Sequence, residues 1–545
     1  MKTNVSLCIV AALMVAACGD PSHRHNSGEK VSVINSTPDE VIEEDVEITS
    51  NEAALMEPSA NATSKMILSS PPQQRNAETY KEIKENSFVA VAQQPVTTFS
   101  ADIDRAAYAN VRRIIGYGQI PPKDAVRIEE MVNYFDYDYP APEEGSVSPL
   151  RVSPELAPAP WNPNHLLLRI GLQAKKIDLA KAPPSNIVFL IDVSGSMDEE
   201  NKLPLLKSSF KMLLGQLRPD DKIAIVTYAN GTKVALPSTS VKDKEKIIKV
   251  LDNLYASGGT SGGKGIQLAY EQAQKSFIKN GNNRIILATD GDFNIGINNT
   301  TDLEKFIEKQ RESGIYMSVL GFGIGNYRDD MAETIADKGN GNYAYIDNIT
   351  EAKKVLVNEL SGTLFAVAKD VKLQLEFNPK YVKEYKLIGY ENRMLANEDF
   401  TNDKKDAGEI GAGHTVTALY ELVPSDGKVA QSLRYQSQEL NEKGKGNELG
   451  FLKIRYKDPK VKDAKSVEIT EPLVFNKKAL KETSTDYRFA ASVAEFGILL
   501  RDNSNKANAT YGQVIELAEG AIGKDPEGYR KEFVRLVKSV KMLPK

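Results

Sequence analysis

The chain has 545 residues, a length that favours about three or four domains. It is 41% hydrophobic and 26% charged, and 69 Lys and Arg against 74 Asp and Glu leave a net charge of −5. That is the balance of an ordinary soluble globular protein, without the basic excess that nucleic acid would require. The four histidines are His23, His25, His165 and His414. Apart from the tail pair His23/His25, none stands at zinc-ligand spacing from another His or from Cys.

Residues 1–18 read as an export leader. Leu7 to Ala17 is an unbroken apolar run of eleven behind Met1-Lys2, too short to span a bilayer and long enough for a signal-peptide core. It ends Val15-Ala16-Ala17-Cys18, which resembles a bacterial lipobox, so Cys18 is the expected lipidation site and a lipid-anchored chain in the cell envelope is the expected product. Gly19 stands where Asp often retains lipoproteins at an inner membrane, which favours the outer membrane in a cell that has one. Residues 19–96 read as an acidic tether. Asp39 to Glu57 holds eight acidic residues and no basic one, and no aromatic occurs before Tyr80. Such composition cannot bury enough apolar surface to offset its ordering entropy.

Residues 97–182 form an expected amino-terminal extension. Ser100 is placed to cap a turn or helix containing Asp102 and Asp104. Helical spacing of apolar residues follows over 106–117 and 124–135, separated by Pro121-Pro122. Two strands are expected over 150–156 and 165–173, linked by a Pro-rich stretch around Trp161.

The next region alternates strands and helices. Strands are expected over 186–191, 222–228, 232–236, 284–289, 316–322 and 343–345, with 232–236 as an antiparallel edge. Helices are expected over 203–216, 241–254, 264–277, 301–312, 329–337 and 351–364. This implies a doubly wound α/β sheet with right-handed crossovers. The first strand, Asn186-Ile-Val-Phe-Leu-Ile, ends in Asp192-Val-Ser194-Gly-Ser196. Ligands in open α/β sheets bind at the carboxyl ends of strands. One carboxylate and two hydroxyls within five residues suit a hard, oxygen-seeking cation such as Mg²⁺. Further on stand Gly258-Gly-Thr260-Ser-Gly-Gly263 and Arg284-Ile-Ile-Leu-Ala-Thr289-Asp290-Gly-Asp292.

With these three stretches in place, residues 183–365 resemble the von Willebrand factor type A (VWA) domain and its metal-ion-dependent adhesion site (MIDAS). The resemblance implies the metal ligands Asp192, Ser194, Ser196, Thr260 and Asp290. The two serines would bind directly, the two aspartates partly through waters, and Thr260 would join or leave the inner shell. The cation expected is Mg²⁺, with Mn²⁺ or Ca²⁺ as alternatives. A coordination place left to water or to an outside Asp or Glu makes a protein partner the expected ligand. Asp292 reads as a loop residue rather than a ligand. The run from Phe99 to Tyr137 is similar to the amino-terminal extension of a bacterial VWA family, the YfbK-like proteins, and Phe489 to Asn503 resembles that family's carboxy-terminal region.

Residues 366–480 read as an antiparallel β domain, with strands over 370–377, 382–390, 414–422, 449–456 and 466–473. Residues 481–545 turn helical over 489–501, 511–521 and 529–542. The fold expected is therefore a doubly wound, Rossmann-like VWA domain inserted in or flanked by a β-sandwich, with helical extensions at both ends. Two other functions compete with metal-dependent binding. One is a structural envelope scaffold whose cation only steadies its loops. The other is a serine hydrolase, since Gly259-Thr-Ser261-Gly-Gly263 satisfies G-x-S-x-G and Asp290 and His414 follow in hydrolase order. That motif requires a strand just before the serine, and here a helix and a loop precede it. Gly258 to Lys264 falls short of a nucleotide-binding loop, because Gly265 stands where Ser or Thr should hold Mg²⁺.

Overall fold

A computed structural model describes residues 78–544, apart from 102–103, 261, 292–299, 326, 427–445, 462–463 and 503–505. The expected leader, Cys18, the tether as far as residue 77, Ser261 and Asp292 lie outside the described residues.

The last part of the expected tether is instead built into the fold. Glu78 takes both arms of Arg113 (3.0 and 2.8 Å). The Thr79 N–H donates to the carbonyl of Tyr327, and its own carbonyl accepts from Asp329 N–H, each at 3.1 Å. Two strands follow, β1 (Val89–Ala90) and β2 (Val96–Ser100). Ion pairing and strand pairing, not apolar content, order this stretch, so composition misreads it. Ser100 also differs from expectation: it ends a strand, and its hydroxyl accepts from Gly408 N–H at 2.7 Å instead of capping a helix. Helices α1 (Ala106–Gly116) and α2 (Ile128–Asn133) lead to a hairpin of β3 (Leu150–Ala159) and β4 (Asn162–Ala174).

The central layer takes the chain through β5 (Ser185–Asp192), α3 (Leu203–Gln216), β6 (Lys222–Tyr228), β7 (Thr232–Ser240), α4 (Lys244–Asp252), α5 (Gly262–Lys275), β8 (Asn282–Thr289), α6 (Thr300–Arg311), β9 (Ile315–Gly321), α7 (Asp329–Lys338) and β10 (Tyr343–Tyr345). The sheet order is β10-β9-β8-β5-β6-β7, parallel throughout except for the antiparallel edge β7. β5 and β8 are buried along their whole length, which is why they read as continuous apolar runs rather than alternating ones. Helices cover both faces: α5, α6 and α7 over one core, α3 and α4 over the other. Gly265 lets α5 approach the sheet, since a Cβ there would lie 3.1 Å from the Tyr228 side chain.

The last helix of this layer was expected unbroken over 351–364. It is α8 (Ile349–Lys353), a π-helical turn at Lys354–Asn358, and α9 (Leu360–Leu364). The turn carries Lys354, buried and ion-paired with Glu359, which also holds Arg105. Local propensity does not report this distant partner.

The chain then returns to the hairpin it left. β11 (Ala366–Phe377), β12 (Val382–Ile388), β13 (Gly408–Gly411), β14 (Thr415–Pro424), β15 (Glu448–Lys457) and β16 (Val467–Val474) make two sheets with the earlier strands. One runs β1-β12-β14-β4-β3, and the other β13-β11-β15-β16, with β2 also on β11. Leu166, Leu168, Ile170 and Leu172 of the first face Leu373, Leu375, Leu452 and Ile454 of the second in one core. Because β4 lies between β3 and β14, the doubly wound layer is an insertion between strands of one sandwich. Finally α10 (Thr485–Leu500), α11 (Tyr511–Glu519) and α12 (Tyr529–Met542) share a single core with α1 and α2.

Candidate metal centre

Asp192 ends β5 fully buried, and its Oδ1 accepts from Ser194 N–H at 2.9 Å. That bond turns the chain so that Ser194 and Ser196 point the same way, with their hydroxyl oxygens 3.1 Å apart. Ser194 is buried and Ser196 exposed, so the pair spans from the interior to the surface. Asp290 follows β8, also buried. Thr289 ties this second loop to the first: its hydroxyl lies 3.4 Å from Asp192 Oδ2 and accepts from Gly291 N–H at 3.1 Å. Gly291 has φ +86°, and a Cβ there would meet Arg328 N at 2.6 Å, so the turn after Asp290 closes against the loop following β9.

The third loop carries Thr260, which is half-buried. Two backbone bonds at 2.8 Å, Gly195 N–H to Gly258 O and Ser257 N–H to Val193 O, lace it to the Asp-x-Ser-x-Ser loop. Asn230 Oδ1 accepts from Gly259 N–H at 2.5 Å. The structure therefore brings the loops of all five sequence-selected residues to one end of the sheet. His414 is elsewhere, at the start of the β14 strand in the sandwich, buried against Gly362. Burial and the nearby Arg105 charge push its imidazole down to about 4.

One residue of this site was not legible. Lys202 lies just before α3 with its side chain only 6% exposed. Its Nζ donates to Ser196 O at 2.8 Å and to Asp290 Oδ2 at 3.2 Å, with Glu199 at 3.4 Å. A lysine six positions past Ser196 carries no local signal, because its partner Asp290 lies 88 residues away. Burial pushes the Asp192 carboxyl up to about 6; the hydrogen bonds from Ser194 oppose this, and the neighbouring Asp290 charge adds to it.

These residues fit a small hard cation. Among the described residues no three His, Cys, Asp or Glu cluster as ligands; the two carboxylates here stand with the Ser194 and Ser196 hydroxyls instead. A Mg–O distance of about 2.1 Å places adjacent octahedral oxygens about 3 Å apart. The Ser194 and Ser196 oxygens stand at 3.1 Å. Burial penalises the ionised form of Asp192, as does the second carboxylate beside it, and a divalent charge would relieve that penalty.

A doubly wound parallel sheet with one antiparallel edge, carrying this loop set at its carboxyl ends, defines a von Willebrand factor type A domain, and residues 186–358 match that family's profile. Residues 74–169 match a profile described as von Willebrand factor, and residues 362–543 match one described as the C-terminal part of the uncharacterized protein YfbK. The chain belongs to the YfbK family. It is 48% identical over 465 residues to Uncharacterized protein YfbK of Escherichia coli (strain K12), covering 84% of this chain and 80% of that relative. Uncharacterized protein sll0103 of Synechocystis sp. is 26% identical over 326 residues, covering 60% and 74%. Among solved structures, a von Willebrand factor type A protein from Catenulispora acidiphila matches with TM-score 0.39 and 15% identity, covering 71% of this chain and 89% of that one. VWA domains often mediate protein–protein interaction and commonly bind a divalent metal.

Proposed function

We propose that the chain is a cell-envelope lipoprotein whose VWA domain holds a protein partner through a divalent cation, Mg²⁺ before Mn²⁺ or Ca²⁺. The observation that carries this reading is the Ser194–Ser196 hydroxyl pair beside two buried carboxylates on strand-end loops. Ser194, Ser196 and Thr260 would supply neutral oxygens, and Asp192 and Asp290 the charge. Few direct carboxylates leave the cation electrophilic, so a partner's Asp or Glu adds a charge-assisted bond in a partly dry contact. Residues around the site then set specificity through shape and rim charge. The reading is of binding rather than catalysis: His414 is packed within the sandwich, away from the strand-end loops.

Titration calorimetry with Mg²⁺ tests the first step. Asp192→Ala removes an anion and should weaken binding by about tenfold or more, while Ser196→Ala, losing a neutral ligand, should weaken it less. Partner capture from envelope extracts with and without chelator tests the second step. A chain that binds no divalent cation, or a partner held equally well in excess chelator, refutes the reading and leaves the structural scaffold. Anchoring at Cys18, with the outer membrane favoured, belongs to the same proposal; Cys18→Ser should release the chain from the membrane fraction.

A further inference from the structure

We infer that Lys202 acts as a built-in counter-charge at this centre: it weakens the cation's hold and makes cation and outside carboxylate bind cooperatively. This rests on the adhesion-site reading above. A buried ammonium is costly unless it is paired, and Lys202 is paired with the same groups a cation would use or border. It donates to the carbonyl of Ser196 and to Asp290 Oδ2, bridging two of the three loops. Its methylenes lie under the backbone of Gly323, where φ is +81° and a Cβ would strike Lys202 Cγ and Cδ at 2.9 Å, so the side chain is clamped rather than loose.

Net charge at the centre governs how its ligands cooperate. Glu199, at 3.4 Å from Lys202, is 58% exposed and its charge is screened by solvent. Among the buried groups, two carboxylates, Asp192 and Asp290, against one ammonium leave the empty centre with one negative charge. A divalent cation turns that into one surplus positive charge, in a place where Asp192 and Asp290 are each at most 5% exposed. An external carboxylate brings the centre to neutrality. Without Lys202 the loaded centre would be neutral already, and the outside carboxylate would gain less by arriving. The lysine thus trades resting metal affinity for dependence on the partner's acid, and it holds the Ser196 and Asp290 loops together when no cation is bound.

The test uses the full chain with Lys202→Met and Lys202→Gln, both neutral and both keeping most of the stem's packing. Mg²⁺ is titrated at constant pH and ionic strength, in chloride and in acetate as a small carboxylate probe. Wild type should bind Mg²⁺ more tightly in acetate than in chloride. The variants should bind about tenfold or more tightly in chloride and gain little from acetate. In chelator their melting temperature should fall below that of wild type, and Mg²⁺ should raise it by more. Variants that bind Mg²⁺ no tighter than a wild type that does bind overturn the role of Lys202 alone. No binding by wild type or either variant overturns the adhesion-site reading itself.

Discussion

Arg127→Met probes the charge cluster that joins the amino-terminal extension to the VWA layer. The Arg127 side chain is 2% exposed, contacts Glu130, and reaches Asp329 at 2.5 Å with Glu333 at 3.9 Å. Removing the cation leaves three buried carboxylates facing one another, with Arg393 at 3.6 Å from Glu333 as remaining compensation. Breaking a buried pair by deleting one partner costs about 3–5 kcal/mol. Asp329 keeps hydrogen bonds from Tyr343 (2.7 Å) and Asn110 (3.1 Å), and Glu130 keeps one from Ala107 N–H (2.9 Å). These retained donors place the expected loss near the lower end, about 3 kcal/mol. Against desolvation, which raises it, Arg127 and Arg393 hold the buried Glu333 carboxyl below its usual range. Without Arg127 it rises, so between the two folded values the variant holds a proton that folded wild type has released. The variant's deficit is therefore largest at alkaline pH and shrinks as pH falls toward the unfolded carboxylate range, by up to about 1.4 kcal/mol per unit for each such proton. Urea unfolding at pH 5 and pH 8 measures this. A loss below about 1 kcal/mol at pH 8, or one equal at both pH values, refutes the ion-pair account.

Glu495 in α10 is fully buried, and burial pushes its carboxyl up to about 8, offset only in part by the backbone of Thr510. A raised acid costs no stability below its unfolded value, then about 1.4 kcal/mol per unit until the folded value. Glu495→Gln should match wild type near pH 4.5 and exceed it at pH 8 by several kcal/mol; an unchanged difference between the two pH values in thermal melts counts against it. Residues 366–545 expressed alone lack β3 and β4 and the α1–α2 half of the helical core, so the fragment should aggregate, and a cooperative melt with a single elution peak would contradict the insertion topology.

The sequence was most readable where burial is one-dimensional. β5 and β8 carry unbroken apolar runs, Ile187–Ile191 and Ile285–Ala288, because both faces are covered, and α3 starts beside Pro204 and keeps its apolar stripe to Leu214. The donor positions at the candidate centre are equally local, since each follows a strand or precedes a helix. Illegible were the features that exist only across long separations. Glu78 and Thr79 look like linker until Arg113 and the 327–329 stretch are placed beside them. Lys354, in the π-helical turn at Lys354–Asn358, meets Glu359, which is itself held by Arg105 from 254 residues earlier. Lys202 belongs to the same class, as its charge is defined by Asp290.

The interrupted sandwich sets an order in time. Gly171 on β4 pairs with Thr417 on β14, roughly 250 residues later, and a ribosome adding about 5–20 residues each second needs about 10–50 s to supply that partner. Through that interval the β4 edge of the hairpin lacks its β14 partner, and Leu166, Leu168, Ile170 and Leu172 have no opposing sheet. The VWA layer, contiguous from β5 to α9, has its whole core available before β14 is made. Synthesis therefore passes through a stage in which a finished nucleus hangs from an unfinished frame, and that open strand edge is where a holding factor, or a second nascent chain, would have its opportunity.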